Sequence, residues 1–221
     1  MSHDPDHDHA HGGPHVHRSP PRPDHDDTLT YHRAMEVALR EFLIEKGIVT
    51  AADVRRQIES MDARSPSGGA KMVARAWLDL AYRKRMLENG SLAAEEAGLE
   101  VGPLKLIVVE NTPAVHNVVV CTLCSCYPRM VLGLPPDWYK SRNYRSRVVR
   151  EPRAVLAEFG TVIPDEVQIR VHDSTADMRY LVLPMRPEET GGLGAAELAK
   201  LVTRDSMIGV ALVEQAAVLG K

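Results

Sequence analysis

The chain has 221 residues, with 27 Lys+Arg against 30 Asp+Glu, a formal net charge of −3 and 44% hydrophobic residues, enough to build one sizeable core or two small ones. It contains no run of about 18 apolar residues, which excludes a transmembrane helix, and its near-neutral charge argues against a dedicated nucleic-acid binder. The N-terminal stretch has no apolar h-region, so a secretory signal is not expected, and a cytoplasmic, reducing compartment is.

Residues 1–27 stand apart from the rest. They hold seven of the ten histidines (His3, His7, His9, His11, His15, His17 and His25), six Asp, five Pro and almost nothing apolar. Such a segment cannot bury enough surface to offset its ordering entropy, so a disordered tail is expected. Its alternating His and Asp could capture divalent metal loosely, or serve only as a solvated extension.

Residues 28–100 predict a helical arm. Tyr31, Met35, Ala38, Leu39 and Phe42 recur at three- and four-residue steps up to a stop at Gly47. Thr50-Ala-Ala-Asp53 reads as a capping pair opening a second helix towards Met61. Ser65-Pro-Ser-Gly-Gly69 is expected as a loop, Ala70 to Trp77 as helix, and Asp79 as the cap of a helix running to about Glu88. The apolar stripes of this region suit either a partner subunit or the chain's own domain.

From residue 101 to 221 the texture is that of an α+β domain. Leu104 to Glu110 and His116 to Val120 read as strands around an Asn111-Thr-Pro113 turn. Glu166 to His172 alternates faces, and Met178 to Leu183 is expected as its returning strand after a turn at Asp173 to Asp177. Helix is predicted between about Pro136 and Phe159 with a break at Pro152, and again from Ala195 to Thr203. Strands gathered in one block after a helical arm point to an α-β-β-α layered fold rather than alternating βαβ units.

The informative stretch is Cys121-Thr-Leu-Cys124-Ser-Cys126, which holds all three cysteines of the chain. Thiolates are soft donors, and three at this spacing can close around one ion like a claw. If Cys124 and Cys126 bind the same metal, the peptide nitrogens of Ser125 and Cys126 must lie beside it. Sulfur and backbone nitrogen would then chelate in one plane with Cys121 axial, which suits an octahedral or square-planar ion. Structural zinc, a strained Cys124–Cys126 disulfide and three inert packed thiols are the competing readings. His116 is a nearby fourth ligand candidate or simply a strand residue.

The motif resembles that of nitrile hydratase α subunits. The likeness continues through Ala70-Lys-Met-Val-Ala-Arg-Ala-Trp77, Val109-Glu-Asn-Thr-Pro113, Val131-Leu-Gly-Leu-Pro-Pro136, Tyr144-Arg-Ser-Arg-Val-Val149, Arg179-Tyr-Leu-Val-Leu-Pro184 and Thr203-Arg-Asp-Ser-Met-Ile-Gly209. Thr122 is similar to the cobalt class, where the iron class carries Ser. The resemblance implies Cys121, Cys124 and Cys126 as sulfur ligands, and backbone nitrogens of Ser125 and Cys126 as further ligands. The ion would be low-spin Co(III), with Fe(III) the less favoured occupant. Cys124 is expected as a sulfinate and Cys126 as a sulfenate, both rungs of thiol oxidation.

The implied activity is hydration of a nitrile to an amide, with Cys126 and Ser125 as catalytic residues and Asp173 and Asp177 supporting the site or merely forming a turn. The implied partner is a β subunit in an αβ or α2β2 assembly that contributes arginines, with a small activator protein helping to insert metal. Arg129 departs from the Trp of many cobalt-class chains and resembles the related thiocyanate hydrolase γ subunit, or a hydratase of polar, nucleoside-type nitriles. A protein that only stores or delivers metal is the non-enzyme alternative.

Overall fold

The computed structural model describes residues 29–213; the histidine-rich tail expected at residues 1–27 lies outside the described residues. The first two helices are α1 (Tyr31–Glu45) and α2 (Ala51–Asp62). Thr30 caps α1 through its hydroxyl, and Gly47, at φ 67°, follows its last turn. Thr50 and Asp53 form the expected reciprocal capping box on α2, which satisfies two otherwise unpaired donors. Neither helix buries a residue, and Tyr31, Met35, Leu39 and Phe42 of α1 are all more than half exposed.

Helices α3 (Ser67–Leu78), α4 (Leu80–Glu88) and α5 (Gly90–Glu96) are different, because they join the strands in one hydrophobic core. Met72, Val73, Ala76, Tyr82, Met86 and Ala94 are sealed from solvent. Asp79 and Asn89 cap α4 and α5 with their side-chain oxygens, so three helices follow one another with single-residue breaks. The glycine pair expected in a loop lies inside α3. A Cβ on Gly69 would stand 2.8 Å from Met207 Sδ and 3.1 Å from the Val131 carbonyl, so these glycines serve close packing of a helix rather than a turn.

The strands are β1 (Lys105–Glu110), β2 (Val115–Val120), β3 (Gln168–Asp173) and β4 (Met178–Leu183). Their α+β composition agrees with the sequence, but their pairing does not follow the expected returning strand. β3 does not pair with β4: β1 pairs with β4 and β2 with β3, both parallel, in two separate two-stranded sheets. The register sets Val118 opposite Val171, and Val120 opposite Asp173. β2 explains the outcome, being buried from His116 to Val120 on both faces, as a strand in a parallel pair covered on both sides must be. The connection needed for parallel pairing is the long segment between β2 and β3.

That segment carries α6 (Arg129–Leu132), α7 (Asp137–Lys140), α8 (Arg142–Arg147) and α9 (Pro152–Glu158). The helix expected over 136–159 is thus broken at Ser141, which leaves α7 and caps α8, as well as at Pro152. Trp138, Tyr139, Tyr144 and Phe159 pack edge-on or tilted with ring centroids 4.9 to 6.1 Å apart, the arrangement aromatic quadrupoles favour. A 3-10 turn at Glu188–Thr190, α10 (Ala195–Leu201) and α11 (Arg204–Ile208) complete the described chain. Among the described residues no helix is long and apolar enough to cross a membrane.

Candidate metal centre

β2 delivers the chain into the cysteine loop. Cys121 follows the last strand residue and is buried, Cys124 is exposed and Cys126 is half-buried. The three sulfurs lie within 4.8 Å of one another. Cys124 Sγ sits 3.4 Å from Cys121 Sγ and 3.2 Å from Cys126 Sγ. Two sulfurs bonded at about 2.3 Å to one ion stand roughly 3.8 Å apart at a tetrahedral angle and about 3.3 Å apart at a right angle. These two spacings are nearer the right-angle value than the tetrahedral one, and all three thiols are free.

A peptide group of the loop turns inward as well. Cys124 N–H donates to Cys121 Sγ at 3.3 Å, and the Ser125 and Cys126 N–H groups follow it in the same short loop. Three soft sulfur donors gathered in one short loop suit a transition-metal ion better than a hard cation. The hydrogen bond from Cys126, reinforced by these amides, lowers the pKa of Cys124. Burial pushes Cys126 up to about 12, with its hydrogen bond to Cys124 acting the same way and the Arg179 charge opposing it. Cys124 is accordingly the first of the pair to become a thiolate.

Four side chains hold the loop from outside. Asp173, at the end of β3, accepts from Thr122 N–H at 2.9 Å and from the Thr122 hydroxyl at 2.6 Å. Arg145 Nη1 donates to the Cys124 carbonyl at 2.9 Å, and Tyr139 Oη donates to the Cys126 carbonyl at 2.8 Å. Tyr144 Oη donates to the Val119 carbonyl at 2.7 Å, tying α8 to the strand that feeds the loop. Burial raises the pKa of Tyr139 and of Tyr144, so both hydroxyls remain donors.

The structure brings Cys121, Cys124, Ser125, Cys126 and Asp173 together. Asp177 lies exposed in the β3–β4 turn, where its carbonyl accepts from Lys105 N–H at 2.9 Å. Arg129 is half-buried at the start of α6, three residues beyond Cys126. His116 points away from the sulfurs: its ring is buried, Nε2–H donates to the Gly209 carbonyl at 2.7 Å and Nδ1 faces the Asn111 amide at 3.3 Å. Arg145 and Arg179 fall in segments that resemble the family, but nothing in the sequence gives them or Tyr139 a role at the loop; for Arg145 and Tyr139 helix packing reveals it.

The family model described as "Nitrile hydratase, alpha chain" matches residues 30–211. A cobalt-containing nitrile hydratase subunit alpha from Pseudonocardia thermophila is 52% identical over 178 residues, covering 78% of this chain and 86% of its own. A thiocyanate hydrolase subunit gamma from Thiobacillus thioparus is 47% identical, covering 80% of this chain and 78% of its own. A solved double mutant of the iron-type nitrile hydratase of Comamonas testosteroni superposes with TM-score 0.77 at 41% identity, covering 85% of this chain and 94% of that one. The match takes in both the cysteine loop and the helices and strands that brace it, and on that ground the chain belongs to the nitrile hydratase alpha-chain family.

Proposed function

We propose that this chain is the metal-bearing catalytic subunit of a cobalt nitrile hydratase, adding water across a carbon–nitrogen triple bond to give an amide. The observation that carries the reading is the gathering of the Cys121, Cys124 and Cys126 sulfurs within 4.8 Å of one another, with Cys124 Sγ at 3.4 and 3.2 Å from the other two. Those three sulfurs and the backbone nitrogens of Ser125 and Cys126 would hold trivalent cobalt. When bound, the ion supplies a Lewis acid that polarises a nitrile or acidifies water.

The remaining chemistry belongs to the chain. Cys121, anchored at the end of a strand buried from His116 to Val120, fixes the loop's depth. Asp173 prevents Thr122 from swinging out, which keeps Cys121 and Cys124 in register. Cys126, carried as a sulfenate, presents an oxygen that attacks the nitrile carbon or removes a proton from the attacking water. Cys124, carried as a sulfinate, and Ser125 frame that oxygen. The Arg179 charge beside Cys126 stabilises an oxidised, anionic sulfur.

The exposed apolar face of α1 is the surface offered to a β-type subunit, which supplies further arginines. A chain purified with that partner should contain one cobalt per cysteine loop, convert a nitrile to its amide, and lose both properties as Cys124→Ser. Zinc in the loop with no hydration activity would overturn the reading.

Hydrolysis of thiocyanate is a second reading, favoured by Arg129. A half-buried guanidinium directly after the cysteine loop attracts an anion over a neutral nitrile. Parallel assays with a neutral nitrile and with thiocyanate separate the two, and Arg129→Trp should shift the ratio towards the nitrile.

A further inference from the structure

The hydrogen bond between Arg145 and the Cys124 carbonyl falls on one particular peptide bond. Cys124 C=O and Ser125 N belong to the same amide, and Ser125 N is one of the two nitrogens that would hold the ion in the reading given above. We propose that Arg145 is a positioning residue for the metal centre, holding a cation against the oxygen on which negative charge collects when Ser125 N becomes a ligand. The inference rests on the metal-bearing reading given above.

The chemistry balances simply. With Ser125 N as a ligand, its proton would leave to solvent, and the electron pair left behind would be shared between nitrogen and the Cys124 carbonyl oxygen. A neutral donor at that oxygen would help little. A guanidinium makes a charge-assisted bond that strengthens as the charge appears.

The surroundings keep the Arg145 charge available. Two residues further along α8, Arg147 is neutralised by Glu151 at 2.5 Å and Glu158 at 2.6 Å. Arg145 has no carboxylate within ion-pair distance among the described residues, and its Nε–H is buried without an acceptor there. Its neighbour Tyr144 is buried and locked to Val119, so α8 cannot drift from the loop. Tyr139 supplies an internal control. It donates to the Cys126 carbonyl, whose amide nitrogen belongs to Tyr127 and is not a ligand. Bracing alone would make the two bonds equivalent, whereas charge stabilisation singles out Arg145.

The test uses the full chain purified with its natural partner from cobalt-depleted cells, as wild type, Arg145→Gln, Arg145→Lys and Tyr139→Phe. Cobalt uptake is followed by metal analysis, and the sulfur-to-metal charge-transfer absorption is recorded on the loaded proteins. Arg145→Gln is expected to take up cobalt about ten- to a hundredfold more slowly, the worth of one hydrogen bond to a charged group, and to show a shifted absorption band. Arg145→Lys should recover much of the rate, and Tyr139→Phe, which loses a bracing bond but no charge, should slow loading less than Arg145→Gln and leave the band unshifted. Equal uptake and identical spectra for Arg145→Gln and wild type would overturn the proposal, as would equal slowing by Tyr139→Phe. Should the glutamine variant fail to fold, the lysine variant decides, since a rate no better than a cysteine-ligand variant would rule out the role of charge. A wild-type protein that takes up no cobalt defeats the metal-bearing reading itself, an outcome distinct from any of these.

Discussion

Asp173 closes both carboxylate oxygens on Thr122, one on its backbone N–H and the other on its hydroxyl, across the C-terminal ends of the paired strands β2 and β3. The register that sets Val120 beside Asp173 is therefore also what fixes the first residue of the cysteine loop after Cys121. Asp173→Ala removes both bonds. Because the pair is exposed, the expected cost is that of an ordinary hydrogen bond, about 1 kcal/mol. For a chain of this size that is a fall of roughly 2–4 °C in melting temperature. Thr122→Ser keeps both bonds and should melt like wild type. Thermal unfolding followed by circular dichroism checks both variants, and cobalt content measured in parallel should fall for Asp173→Ala alone.

The cysteines predict a mass signature. If Cys124 is carried as a sulfinate and Cys126 as a sulfenate, peptide mapping of the mature protein should find about 32 Da added to the first and about 16 Da to the second, with Cys121 unmodified. If that oxidation takes place on the assembled centre, removing cobalt during growth should leave all three as thiols. Unmodified thiols in a fully active enzyme would contradict this assignment.

His116 and His172 make stability depend on pH. Burial lowers the pKa of both, and the Arg170 charge adds to the effect at His172. At His116 burial outweighs the bond from Nε2–H to the Gly209 carbonyl, which by itself favours the charged ring, while His172 Nε2 lies 2.8 Å from Asn117 Oδ1. A histidine depressed in the folded state binds its proton more readily when unfolded. The stability it confers is complete above about pH 6.5, its unfolded value, and is lost as pH falls from there through the folded pKa. Each histidine contributes at most about 1.4 kcal/mol per pH unit in that window. Denaturant titrations between pH 5 and 8, a range spanning the ordinary histidine value, should show this slope, and His116→Gln should flatten it. A slope unchanged by the substitution would show that His116 does not govern it.

What the sequence disclosed and what it hid divide along physical lines. The capping box at Thr50 and Asp53, the Asp79 cap and the ends of β1 are local features, set by residues within a turn of one another, and they were readable. The cysteine loop was readable for the same reason, since its donors lie within six residues. Strand pairing was not: the Asp173–Asp177 turn looks like a hairpin, yet β3 and β4 separate into different sheets because β2 and β1 offer buried parallel partners far away in sequence. Arg145 and Tyr139 were hidden for a related reason. An arginine on a short helix has the same composition whether it faces solvent or a carbonyl, and only the anchoring of Tyr144 on Val119 aims it.

Gly209 is a second consequence of tertiary closure. It caps α11 at φ 88°, and a Cβ there would stand 1.9 Å from the Asn117 carbonyl oxygen. Gly209→Ala must therefore strain the backbone and push on β2 from behind, while displacing the carbonyl that His116 uses. Destabilisation of at least about 3 kcal/mol is expected, in the range reserved for core and backbone disruption. Chemical denaturation measures it directly, and a loss below about 1 kcal/mol would mean that α11 shifts freely away from β2.

The outer face of α1 offers a test of assembly that is independent of the metal. Tyr31, Met35, Leu39 and Phe42 project from a helix that buries none of its residues, at 73%, 51%, 57% and 51% exposure. Each apolar side chain of this size gains about 1.5–3 kcal/mol when fully covered, so a stripe of four can bind a partner subunit firmly even after the entropic cost of association. Leu39→Asp with Phe42→Asp places two charges in that stripe. Because neither side chain contributes to the core, the variant should unfold at the wild-type temperature when isolated. In size-exclusion chromatography of the co-expressed subunits it should elute apart from its β-type partner and carry less cobalt. Unchanged co-elution would show that α1 is solvent-facing in the assembly and that the partner grips the chain elsewhere.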